Sequence, residues 1–145
     1  MIRLSMGYPS HDAAVQILKG QEFVPINGVN LVVSREELME LQKTTNSLSV
    51  HDSIFDYIVT LIEKTRNSEY FALGASPRGA NSLLRMSRAM ALLSGRNYVV
   101  PDDIEAVFTA VLGHRVKLSS RARANGFTVD TALEEVRKSV KLPRT

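Results

Sequence analysis

The chain has 145 residues, 44% hydrophobic and 23% charged, with no cysteine, a formal charge of +3 and a pI near 9.4. This composition argues against a disordered segment, a disulfide-stapled scaffold and thiol chemistry, and it describes one domain with enough apolar surface to bury a core. No apolar run approaches the roughly 20 residues of a membrane-spanning helix, and the basic excess is too mild and dispersed to indicate nucleic acid as a partner. Lack of cysteine fits a reducing, cytoplasmic setting.

Ile2, Leu4 and Met6 alternate with Arg3 and Ser5 in a strand-like period with nothing before them to pair with. The reading is that of a chain begun in the middle of something larger. Gly7-Tyr8-Pro9-Ser10 makes a turn, and Ser10 caps a helix ending near Gly20, with Asp12 in its first turn and Ala14, Ile17 and Leu18 as its apolar face. Residues 22–33 are irregular, with turns at Pro25 and Asn27-Gly28 and an extended piece over residues 29–33. Ser34 and Glu37 form a capping box for a helix to about Thr44, with Leu38 and Leu41 on its buried side.

The next helix starts near Val50 and carries Ile54, Ile58, Leu61, Ile62 and Thr65 at helical spacing. Phe55 and Val59 widen the stripe, and Lys64 and Arg66 place basic charge at its negative end. A loop through residues 70–73 leads to a helix over residues 77–94, with Leu83, Leu84, Met86, Met90, Ala91 and Leu93 as its apolar side. Pro101-Asp102-Asp103 opens a helix with Ile104, Val107, Phe108, Val111 and Leu112 facing the core. Thr128 caps a last helix burying Val129, Leu133, Val136 and Val140. The predicted fold is all-α, a bundle of about six helices with minor extended segments.

Residues 74–80, Gly-Ala-Ser-Pro-Arg-Gly-Ala, carry the candidate site. Ser76 is placed as the cap, Pro77 at the first helical position and Arg78 at the second. A helix start already carries partial positive charge and free N–H groups, so local stability favours an acid there. An arginine that breaks this rule reinforces an anion site, although a solvated arginine satisfies the same spacing.

Other chemistry is missing. The chain has no GxxxxGK[ST] phosphate loop, no HExxH, no CxxC and no GxSxG. His11, His51 and His114 are too scattered for a metal site, and the acids at helix starts are explained by the helix dipole. His114 and Arg115 near a helix end suit the same dipole. Residues alone therefore describe an accessory domain.

The ordered set Gly7-Tyr8-Pro9, Asp56-Tyr57-Ile58-Val59, Thr65-Arg66, Leu73-Gly74-Ala75-Ser76-Pro77-Arg78, Gly95-Arg96, Pro101-Asp102-Asp103 and Leu112-Gly113-His114-Arg115 resembles the MoxR group of AAA+ ATPases, in the helical lid that follows the ATPase core. Magnesium chelatase and RavA-type ATPases share that general lid. The resemblance implies that residues 1–6 end the preceding core or form the junction, and that residues 7–145 are the lid. It implies a sensor-2 role for Arg78 toward the γ-phosphate of ATP and a hinge near the adenine at Tyr8 and Pro9. It further implies ATP and Mg²⁺ in the intact protein with no tight binding by this piece, a hexameric ring, and a client protein served by remodelling or metal insertion. The contrasting reading is a helical nucleic-acid-binding module with Arg78, Arg85, Arg88 and Arg96 on one basic face.

Overall fold

The computed structural model describes residues 1–20 and 28–143. Capping chemistry places most of its helices. Ser10 caps α1 (His11–Leu18) through Ala13 N–H, and the Ser34–Glu37 box forms as expected on α2 (Arg35–Ser47). At α3 (Asp52–Asn67) the cap is His51, whose Nδ1 accepts from Ser53 N–H. A short strand β1 (Phe71–Leu73) precedes α4 (Pro77–Leu93), followed by α5 (Pro101–Leu112), β2 (Lys117–Leu118), α6 (Ser120–Ala124) and α7 (Val129–Lys138). Thr128 caps α7 as predicted.

The core lies among α3, α4, α5 and α7, with α4 lying most extensively along α5. Ile54, Leu61, Leu83, Ile104, Phe108, Leu112 and Leu133 are wholly enclosed. Each such side chain stabilises the fold by about 1.5–3 kcal/mol relative to exposure. Small residues allow α4 to approach its neighbours, since Gly79, Ser82, Ser87 and Ala91 are all buried. The buried Ser87 hydroxyl is satisfied by donating to Leu83 C=O at 2.9 Å. β1 and β2 pair antiparallel, and an isolated parallel bridge joins Ser49 to Tyr98.

The fold is mostly helical with a small two-stranded sheet, as the sequence predicts, and has seven helices among the described residues; α6 is one short turn, too brief to show a hydrophobic period. Other sequence expectations are corrected. Neither α1 nor α2 buries a residue. Ile17, Leu18, Leu38 and Leu41 remain exposed, because periodicity marks an apolar face without showing that anything covers it. Phe55 and Val59 lie past the edge of the α3 stripe and are exposed, whereas Tyr57 on its other edge is buried. Leu93 is 82% exposed in the last turn of α4, beside exposed Ser94 and Gly95. Residues 29–33 form no strand, and the predicted turns at Pro25 and Asn27 lie outside the described residues.

One polar network joins three helices of the core. Arg137 on α7 pairs with Glu105 on α5 at 2.6 Å and with Glu134, and Tyr57 on α3 donates to Glu105 Oε1 at 3.4 Å. Burial, reinforced by the Glu105 carboxylate, pushes the Tyr57 phenol up to about 12 from an ordinary value of 10.0. The fold therefore favours the protonated ring. Its contribution to stability is complete below about pH 10 and disappears as the pH rises through 12. Alkaline spectrophotometric titration is expected to show a late tyrosine step near pH 12 that Tyr57→Phe removes; a titration unchanged by the substitution contradicts the assignment.

Candidate functional site: the first turn of α4

Arg78 occupies the second position of α4, behind Pro77, and its side chain is exposed. Among the described residues it makes no side-chain hydrogen bond or ion pair. The helix start around it is also free of acid, unlike those of α1, α2, α3, α5 and α7. Ser76 departs from expectation, because its hydroxyl makes no capping bond. The turn is closed instead through its main chain, with Ser76 C=O accepting from Gly79 N–H at 2.8 Å and from Ala80 N–H at 3.3 Å. Among the described residues, neither a hydroxyl nor a carboxylate thus answers the positive end of α4.

The approach to this turn is fastened to the end of α3. Thr65 Oγ1 accepts from Ala75 N–H at 2.9 Å, and Arg66 Nε donates to Ala75 C=O at 2.8 Å. Gly74 lies against the same turn so closely that a Cβ there would sit 2.6 Å from Arg66 Cα. On the other side Gly79 faces α5, where an added Cβ would meet Leu112 Cδ2 at 3.3 Å and Arg115 Cδ at 3.8 Å. The two glycines therefore admit the chain's own helices. Sequence reasoning attached no positioning role to Thr65 or Arg66; the available signal was a threonine falling on the apolar stripe of α3, where its hydroxyl must find a partner.

Arg115 is held by donating its Nε to Val111 C=O at 3.1 Å, consistent with a helix-end arginine. The His114 ring is held below its ordinary range, first by partial desolvation and then by the positive charges of Arg115 and Arg3 among others. Arg3 itself is anchored by its N–H to Ala110 C=O at 2.9 Å. Tyr8 and Pro9 are exposed, and none of the hydrogen bonds among the described residues ties them to α4. His51 is a cap, and no group of three or more potential metal ligands occurs among the described residues.

The four arginines of the nucleic-acid reading do not form one free basic face. Arg96 is committed to buried Asp103 by two bonds of 2.6 and 2.8 Å, while the Asp103 carboxylate also accepts from Val100 N–H. Hydrogen bonding to Asp103 raises the Arg96 guanidinium further above its usual range. Arg88 is half-buried, with its Nε enclosed and unpartnered among the described residues. Only Arg78 and Arg85 of the set are exposed.

Residues 63–136, which include α4 with its fastenings to α3 and α5, match the AAA lid domain family. The chain belongs to that family. The lid is 36% identical over 144 residues to an uncharacterised protein, YeaC, of Bacillus subtilis, covering 99% of this chain and 45% of that protein. It is 29% identical over 153 residues to the chaperone MoxR1 of Mycobacterium tuberculosis, covering 99% of this chain and 40% of that one. A 45-residue stretch is 56% identical to MoxR of Methylorubrum extorquens, 31% of this chain and 13% of that protein. Its fold is similar to a crystal structure of a protein provisionally assigned as an ATPase from Cytophaga hutchinsonii, with a TM-score of 0.81, 25% identity and coverage of 99% of this chain and 47% of that chain. These relatives support a lid of the MoxR type, and the chain spans less than half of their lengths.

The glycine contacts make distinct predictions for the lid. Gly74→Ala drives a Cβ into α3 backbone and is expected to cost about 1–3 kcal/mol in a urea melt. Gly79→Ala has a movable leucine terminus as its one tight neighbour and gains helix propensity, so its change should stay within about 1 kcal/mol. Equal effects would contradict the close Gly74–Arg66 approach.

Proposed function

We propose that Arg78 is the sensor-2 arginine of a MoxR-type AAA+ ATPase, reaching from the lid to the γ-phosphate of ATP held by a preceding α/β core. The observation that carries this reading is the exposed Arg78 guanidinium, without a partner among the described residues, at a helix start that lacks any acid. Gly79 and Ala80 N–H are used by Ser76 C=O and Pro77 has none, so the turn offers the Arg78 N–H and its guanidinium, with the positive end of the helix dipole behind them, and that combination suits a phosphate. ATP with Mg²⁺ supplies the transferred phosphoryl group. The metal belongs to the core in this proposal, since the described residues of the lid hold no cluster of metal ligands.

The lid's contribution is electrostatic and geometric. A guanidinium held at the place where phosphoryl charge develops stabilises it most when lid and core close and exclude water. When the phosphate leaves, that attraction disappears, and the lid can move as a unit. Residues 1–6 form the junction with the core in this reading. Gly7, at φ 69°, makes the bend, and the exposed Tyr8 ring with Pro9 lies at the hinge beside the adenine. The intact ATPase assembles as a homo-hexamer in the cytoplasm and couples hydrolysis to remodelling of a client protein or to metal insertion into it. No helix among the described residues is long and apolar enough to cross a membrane.

In the intact ATPase, Arg78→Ala should lower ATP turnover about 10²–10³-fold, the usual scale for losing one preorganised group at developing charge, with a smaller loss in nucleotide binding. Steady-state hydrolysis and nucleotide titration check this, and unchanged turnover removes Arg78 from the site. The 145-residue chain alone is expected to show no ATP turnover, because it contains no phosphate loop.

A further inference from the structure

We propose that Thr65 is the positioning residue for Arg78: its hydroxyl sets where the first turn of α4 sits, and so where the arginine can reach. This rests on the sensor reading of Arg78. Thr65 is completely buried in the last turn of α3. Its hydroxyl is used twice, donating to Ile62 C=O at 2.7 Å and accepting from Ala75 N–H at 2.9 Å. The local bond orients the oxygen, and the second bond crosses from α3 to the segment that leads into α4. A valine would fill the same space, so packing does not account for the hydroxyl.

Ala75 is itself 1% exposed, and its N–H has no water to replace Thr65. Its carbonyl is held by the next residue of α3, through Arg66 Nε at 2.8 Å. Successive residues of α3 therefore grip both main-chain groups of one residue. From Ala75 the chain reaches Arg78 through Ser76 and Pro77, and the proline ring fixes one of the few dihedrals in between. A shift at Ala75 has little slack in which to dissipate before it reaches the arginine.

The test compares kcat and KM for ATP in the intact ATPase. Thr65→Val is expected to lower kcat about tenfold or more, since a misplacement of about 1 Å can cost about a hundredfold. Thr65→Ser keeps the oxygen and should remain within about twofold of the parent. The double variant Thr65→Val/Arg78→Ala should be no slower than Arg78→Ala alone, because the two act through one contact. A lower melting temperature with unchanged kcat per folded enzyme, or losses that multiply in the double variant, overturns the proposal. Normal turnover in Arg78→Ala defeats the sensor reading itself, whereas a slow Arg78→Ala beside a fully active Thr65→Val defeats only the positioning role. If Thr65→Val does not fold, the exposed Arg66→Gln removes the other grip on Ala75; it is expected to lower kcat with the same non-additivity, and full activity overturns the proposal.

Discussion

The bond from Ala75 N–H to the buried Thr65 hydroxyl is the constraint on which the rest of this lid depends. It ties the end of one core helix to the start of another across a link containing a three-residue strand. Left unpaired in that position, the N–H would cost about 1–3 kcal/mol. Around this bond the close contact at Gly74 excludes any side chain, and Gly79 lets α5 approach from the opposite side. The first turn of α4 is held between two helices, and the one long charged side chain it presents is exposed. Rigid support and an unengaged guanidinium are what a preorganised charge requires.

The other arginines show by contrast what an engaged guanidinium looks like. Arg96 is spent on Asp103, closing the turn between α4 and α5, and Arg137 is spent on Glu105 and Glu134, fixing α7 to α5. Both ion pairs are partly buried, where truncating one partner is costly because the other charge remains. These side chains hold the bundle together. Arg78 has no such partner among the described residues, which is what the proposed contact with a phosphate requires. Its role and the structural roles of the other two are therefore separable by substitution.

Much of the bundle was legible because caps and periodicity are local signals. Ser34 with Glu37, Thr128, Pro77 and Pro101 placed four helix starts, and the stripes on α3 and α5 predicted Ile54, Leu61, Ile104 and Phe108 as core. Long-range facts were not legible in this way. Leu38 and Leu41 have helical spacing, yet spacing is silent on whether another element covers them. The Ser76 hydroxyl was a sound cap by residue type, but the main chain closed the turn without it. Thr65 illustrates the other limit: its place on the stripe was evident, while its partner lies ten residues away on a different element. Arg78 stood out because it breaks a local rule, and the family match gives that departure a functional context.

The most direct test is a structure of the intact ATPase with a non-hydrolysable ATP analogue and Mg²⁺. The account predicts the Arg78 guanidinium within hydrogen-bond distance of a γ-phosphate oxygen, with the Thr65–Ala75 bond intact. An Arg78 side chain turned to solvent, with a different residue of the lid on that phosphate, would contradict it.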